Sequence, residues 1–289
     1  MPLLAEVRKA KMSTLLRRLT YRPEVKALAR ILGLRKTLRN WYYRCARPPD
    51  GIVEHHVGEI TAKFYVRTPG ELRNLDPAGH AQQEQKILEL ISASVHAGDI
   101  VFDIGANVGF YTVLLARVVG ARGQVIAFEP NTESYQHLQD NLKLNGLTNV
   151  RAFRKALGDQ SGEGKLYCGQ ENADSSLVGP PMEGETRHQI VEIVTGDGFR
   201  EAEKLPVPRV VKIDVEGFEY QVLQGLHSTL AQPLCELLCC EVHPKFLPRG
   251  VTPDGILSFV KSRGFRSIST YSRYDTFHLL ARKGESTIH

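Results

Sequence analysis

The sequence predicts an α/β protein, with a parallel sheet covered by helices on both faces, an antiparallel strand near its end and a helical arm in front. Three observations carry this. From Asp99 onward, strand-like apolar runs alternate with segments of helical period. The first of these strands leads into its helix through a glycine-rich turn, Gly105 to Gly109. The chain closes on a pair of strands with no helix between them. Alternating strands and helices build parallel sheets with both faces covered.

Each element is argued in order. In residues 1–50, Leu15, Leu16, Leu19, Val25, Leu28, Ile31, Leu32, Leu34 and Leu38 recur at roughly helical spacing, and Trp41, Tyr42 and Tyr43 close the stretch. This is the basic amphipathic helical arm. Pro48-Pro49-Asp50-Gly51 ends it with turn residues. Residues 51–80 read as a short β-hairpin and linker, since Ile52–Val66 alternates weakly around Gly58. Residues 81–289 form the main domain. Within it, helices are expected over Ala81–His96, from the glycine turn to Val119, over Thr132–Leu144, Glu219–Leu230 and Asp254–Arg263. Strands are expected over Asp99–Ile104, Gln124–Phe128, Asn149–Lys155, Arg209–Asp214, Leu237–Val242, Phe265–Thr270 and Thr276–Ala281. Residues 158–200 are hairpin-like, with strands at Leu166–Cys168 and Ile190–Thr195.

Composition bounds the function. The 289 residues are 42% hydrophobic and 24% charged, which excludes a disordered chain, a fibrous repeat and a disulfide scaffold. Cys45, Cys168, Cys235, Cys239 and Cys240 are irregularly spaced and read as free thiols of a cytoplasmic protein. No run of about 18 apolar residues is present, and charges interrupt Met1 to Thr20, so neither a membrane span nor a signal peptide is expected. Residues 1–50 carry 13 Lys and Arg against 3 Asp and Glu, whereas the rest carries 24 against 29. The basic excess therefore belongs to the arm. Such an arm packs on its own domain or makes peripheral contact with an anionic membrane through residues 1–47. A nucleic-acid partner is not expected, because its readers usually carry a basic body too.

Ligands of an open α/β sheet bind beyond the carboxyl ends of its strands. Four of those ends carry acid: Asp103 before Gly105-Ala106-Asn107-Val108-Gly109, Glu129 before Pro130, Asp214 with Glu216, and Glu241 before His243. A dinucleotide turn wants glycine where Asn107 stands, so that backbone can approach a pyrophosphate. Asp103 would repel a pyrophosphate and attract a cation. A cofactor with ribose, adenine, ammonium and sulfonium but no phosphate is S-adenosylmethionine. Glu129, 20 residues beyond Gly109, is placed to accept from its ribose hydroxyls.

The motifs V-F-D-I-G-A-N-V-G-F-Y-T, F-E-P, K-A-L-G-D, K-I-D-V-E-G-F-E and E-V-H occur in that order over about residues 80–281. Together they resemble the FkbM family of S-adenosylmethionine-dependent methyltransferases. The resemblance implies a class I methyltransferase fold, a Rossmann-like sheet of seven strands with the last antiparallel. It implies methyl transfer mostly to hydroxyl oxygens of sugars, polyketides or other secondary metabolites. It also implies that Asp103, Gly105, Asn107 and Gly109 contact the methionine part, Glu129 the ribose, and Lys155-Ala156-Leu157 the adenine edge, with Glu84 closing the pocket. One departure is Thr195-Gly196-Asp197-Gly198, where the family often has Leu-Asp.

A hydroxyl acceptor needs a base or a metal to take its proton. Glu216 or His243 is the expected base, with Asp214 nearer the cofactor's methyl or ammonium. The competing arrangement is a magnesium ion held by Asp214, Glu216 and Glu241, because hard oxygen ligands suit it. Lys212 shares the strand face of Asp214 and is expected to pair with a carboxylate. The insertion Asn172–Gln189 is a candidate lid or acceptor wall. Alternatives are N-methylation of a small amine, or a membrane-associated cofactor-binding protein without catalysis. A nucleotide-dependent oxidoreductase is disfavoured by the turn and Asp103.

Overall fold

The computed structural model describes residues 33, 34, 37, 47–75, 81–169, 175–179, 187–273 and 275–284. The expected helical arm over residues 1–50, and with it the membrane contact over 1–47, falls almost wholly outside the described residues, as does the side chain of Glu84. No described helix is long and apolar enough to cross a membrane.

The chain divides into two units, one of residues up to 53 with 65–81, the other of 54–64 with 82–289. In the first, helix α1 (Pro69–Leu75) starts from a capping box: Thr68 Oγ1 accepts from the Glu71 N–H, and the Glu71 carboxylate accepts from the Thr68 N–H. Strands β1 (Ile52–Val57) and β2 (Ile60–Tyr65) form the expected hairpin.

After the hairpin the chain runs through α2 (Ala81–Ser92), β3 (Ile100–Ile104), α3 (Phe110–Val119), β4 (Gln124–Phe128), α4 (Thr132–Leu144) and β5 (Val150–Phe153). A small three-stranded sheet is inserted next: β6 (Ala156–Gly158), β7 (Gly162–Tyr167) and β8 (His188–Thr195). The main sheet resumes with α5 (Gly196–Ala202), β9 (Val210–Ile213), α6 (Glu219–Gly225), α7 (His227–Ala231) and β10 (Leu237–Val242). It closes with α8 (Pro253–Ser262), β11 (Ser267–Arg273) and β12 (Thr276–Arg282).

The seven strands lie in the order β11-β12-β10-β9-β3-β4-β5. Strands β10, β9, β3, β4 and β5 are parallel, and β12 runs antiparallel between β11 and β10. The sheet is thus the seven-stranded α/β arrangement expected from the sequence. One face of its centre is apolar: Phe102, Ile104, Ile126, Phe128, Val211, Ile213, Leu238 and Cys240 share one buried cluster with Leu223, Leu226 and Val260 from the helices. The connections leave β3 and β9 toward opposite sides of the sheet, so a crevice opens between their carboxyl ends.

Several elements depart from the sequence reading. Helix α1, strand β6 and helix α5 were not expected, and the helix expected over Glu219–Leu230 is broken into α6 and α7. The break lies beside a close contact. Gly225 lies so close to β6 that a Cβ there would stand 1.9 Å from the Gly158 carbonyl oxygen. The helix restarts because the Asp197 carboxylate accepts from the N–H groups of Ser228 and Thr229, both at 2.7 Å. This gives the departing Gly196-Asp197 segment a structural job: it locks α5 to α7.

Gly225→Ala is expected to lose about 3 kcal/mol or more, because the clash is with backbone that has no rotamer to change. Urea unfolding followed by circular dichroism measures it.

Candidate active site

The crevice is an open cleft at the carboxyl ends of β3, β4 and β9. Ile104, Gly105 and Asn107 form its floor after β3, Phe128, Glu129 and Pro130 follow β4, and Asp214, Val215 and Glu216 follow β9. Lys155, Ala156 and Leu157 line it from the β5–β6 segment, and Ser175 and Leu177 from the insertion.

The turn after β3 is held by backbone constraints. Gly105 has φ 78° and passes so close to β9 that a Cβ would lie 1.7 Å from the Asp214 carbonyl oxygen. Asn107 also sits in the left-handed region, φ 49°, which asparagine tolerates better than most residues. Its N–H donates to Glu129 Oε2 at 2.7 Å, and the Asn131 N–H donates to Glu129 Oε1 at 2.8 Å. Glu129 therefore ties the turn to the start of α4, where Asn131 Oδ1 caps the helix by accepting from Glu133 and Ser134. Burial pushes the Glu129 carboxyl up to about 7, against the pull of the two backbone donors. Asn107 Oδ1 is buried without a hydrogen-bond partner.

Asp103 is placed differently from the sequence expectation. It is fully buried and does not line the cleft. It stands in register with Lys212 on the neighbouring strand, 3.3 Å from that ammonium, and accepts from Thr112 Oγ1 at 2.6 Å. Its carboxylate neutralises Lys212 inside the sheet. Lys212 also donates to the Gly105 carbonyl at 3.2 Å, lies 3.6 Å from Asp214 Oδ2 and covers the Tyr111 ring. Gly109 is likewise buried away from the cleft, where a Cβ would meet Leu138 at 2.4 Å. Its role is close packing of α3 on α4.

The second half of the site is a chain of side chains at the ends of β9 and β10. His243 Nε2 lies 3.1 Å from Glu216 Oε2, and His243 Nδ1 lies 2.8 Å from Glu219 Oε1. Glu219 is fully buried and also accepts from the Gly217 N–H at 2.8 Å. Burial opposes charge on His243, but the bonds to Glu216 and Glu219 outweigh it and raise the imidazolium to about 11. Of the two candidate bases, Glu216 lines the cleft, and His243 stands behind it between Glu216 and Glu219. Burial pushes the Glu216 carboxyl up to about 7, with Asp214 adding repulsion and His243 opposing it. Glu216 occupies the left-handed region at φ 51°, with its carbonyl accepting from Ser176 Oγ at 2.7 Å.

The expected oxygen set for magnesium does not form. Glu241 accepts from Thr276 Oγ1 at 2.9 Å and lies 3.3 Å from His278. The groups that do converge within 4.8 Å are Asp214, Glu216 and His243. That set includes an imidazole whose two nitrogens both face carboxylates, which does not suit a hard oxygen-seeking ion.

The structure brings together Gly105, Asn107, Glu129, Ala156, Asp214 and Glu216 on the cleft, with His243 behind Glu216. Sequence reasoning missed Glu219 as the partner of His243; the signal was its place three residues after Glu216, at the start of a helix.

A profile of the methyltransferase FkbM domain matches residues 103–267. The chain belongs to the FkbM methyltransferase family. It is a methyltransferase of the class I, S-adenosylmethionine-dependent fold. It is 28% identical over 226 residues to hexuronic acid methyltransferase AglP of Haloferax volcanii, covering 74% of this chain and 84% of that one. It is also 28% identical over 136 residues to 23S rRNA (uracil(1939)-C(5))-methyltransferase RlmD of Acinetobacter baumannii, but spans only 28% of that protein and 47% of its own length. Among solved structures, a SAM dependent methyltransferase from Aquifex aeolicus aligns with TM-score 0.40 and 14% identity, covering 73% of this chain and 95% of that one.

Lys212→Met is expected to cost about 3–5 kcal/mol, because it strands the buried Asp103 charge, whereas a Lys212→Met/Asp103→Leu double variant recovers most of the loss. Urea unfolding of the three proteins at neutral pH compares them.

Proposed function

We propose that the FkbM-like domain over residues 81–289 methylates a hydroxyl oxygen of a saccharide or other small metabolite, with Glu216 as general base. The observation that carries this is a cleft-wall carboxylate, held in strained backbone and 3.1 Å from the buried imidazole of His243. S-adenosylmethionine, when bound, supplies an electrophilic methyl carbon. The lining fits it. Asn107 Oδ1 is a buried acceptor without a protein donor, beside the Glu129 carboxylate, so this wall offers acceptors to ribose hydroxyls and an ammonium. Ala156 and Leu157 with Phe128 offer apolar surface to an adenine.

Glu216 would take the acceptor's hydroxyl proton, so that the oxygen gaining the methyl does not become a positively charged oxonium, and the thioether of S-adenosylhomocysteine would be the leaving group. His243 donates to Glu216 Oε2 and holds the carboxylate in one orientation, leaving its other oxygen for the acceptor. Glu219 fixes the imidazole from behind. Hexuronic acid is the acceptor class named for AglP, and a saccharide hydroxyl suits a site built around a base.

Glu216→Gln should lower kcat at least about a hundredfold while leaving calorimetric binding of S-adenosylhomocysteine unchanged. Unaltered kcat sinks the assignment of the base. Because the deprotonated carboxylate is the active form, kcat/KM should rise with pH through about 7. Activity is expected to survive EDTA, measured by S-adenosylhomocysteine release. Glu129→Ala should weaken S-adenosylhomocysteine at least about tenfold in the same calorimeter.

A further inference from the structure

The base assigned above needs an acceptor on its outer side, and that side carries apolar surface the mechanism does not use. Five large apolar side chains are exposed among the described residues, and two are tied to the Glu216–Gly217 turn. Phe246 is 39% exposed and follows β10 in a short 3-10 turn, Pro244–Phe246. Its ring centroid lies 6.4 Å from that of His243. It lies against Gly217 so closely that a Cβ on that glycine, at φ 105°, would stand 2.5 Å from Phe246 Cβ. Glycine at 217 thus makes room for this ring to stand beside the base. On the insertion side, Val178 is 44% exposed, and its N–H donates to Ser176 Oγ, the hydroxyl that donates to the Glu216 carbonyl.

An exposed aromatic ring next to a proton-accepting carboxylate matches a particular ligand chemistry. A pyranose presents hydroxyls around its rim and a patch of weakly positive C–H groups on its face. That patch is attracted by the negative face of an aromatic ring. The rim hydroxyl nearest the base is then the one deprotonated. A flat amine or a long acyl chain would not require both features at once.

We propose that Phe246 is the platform on which the acceptor's saccharide ring stacks, presenting one hydroxyl to Glu216, with Val178 bounding the opposite side. This rests on the reading of the chain as a saccharide O-methyltransferase. The stacked ring fixes which hydroxyl reaches the base, so Phe246 sets acceptor affinity and regiochemistry but takes no part in proton transfer.

The test compares the wild-type chain with Phe246→Ala and Phe246→Trp, using a hexuronic-acid glycoside and its neutral hexose counterpart as acceptors. Phe246→Ala should raise the acceptor KM about tenfold, with kcat within about twofold. It should also weaken saturation transfer to the sugar's C–H protons in NMR. Phe246→Trp should restore both. Unchanged calorimetric binding of S-adenosylhomocysteine shows that each variant is folded. If the wild type methylates a sugar and Phe246→Ala does so with the same KM, the platform is overturned and the methyltransferase reading stands. If the wild type binds S-adenosylhomocysteine but shows neither turnover nor saturation transfer with either sugar, the saccharide reading falls and this inference falls with it.

Discussion

The cleft depends on one buried cation. Lys212 projects from β9 into the seam with β3, and its ammonium serves Asp103, the Gly105 carbonyl and Asp214 together. Those three groups belong to the two strands whose divergence opens the crevice. A lone ammonium or carboxylate in this apolar layer would cost several kcal/mol, so neither can be present without the other. Such a pair adds little net stability over two apolar residues. It adds position, because the ammonium is matched only when β3 and β9 are in register and the Gly105 turn is closed over it.

From that fixed point the cofactor side follows with little freedom. Gly105 is pressed on the Asp214 carbonyl, so the turn cannot lift. Its far side is held by Glu129, which spends one lone pair on each carboxylate oxygen to accept from Asn107 and Asn131. Each oxygen keeps acceptor capacity toward the cleft. The same carboxylate can therefore shape the wall and remain open to a ligand's hydroxyls.

Much of this was legible in the sequence. Gln124–Phe128 and Leu237–Val242 are strands over the expected residues, because strands in a parallel sheet are short apolar runs with clear ends. The acids at the strand ends were legible as a group, since topology alone puts strand ends on one side. Their individual tasks were not. Asp103 was read as facing the ligand, but whether a strand-end acid points to the cleft or into the sheet depends on the cross-strand neighbour. Register decides that, and register is a long-range property. Glu219 was hidden for a similar reason: its partner His243 lies on another strand, and an acid at a helix start has a sufficient local explanation. The close approach of Gly225 to Gly158 was invisible because the two lie 67 residues apart in sequence.

The Glu216 turn is where the sheet gives up local comfort for geometry. A glutamate in the left-handed region costs about 1–2 kcal/mol relative to an ordinary turn residue. The strain persists because its surroundings determine it from several directions. Ser176 holds the Glu216 carbonyl, Glu219 holds the Gly217 N–H, and His243 holds the carboxylate. These three contacts come from the inserted sheet's loop, from α6 and from the end of β10, so three separate parts of the fold converge on one residue. Convergence of that kind is what a carboxylate needs if it is to meet a hydroxyl in one orientation, and it places the inserted loop among the parts that build the site.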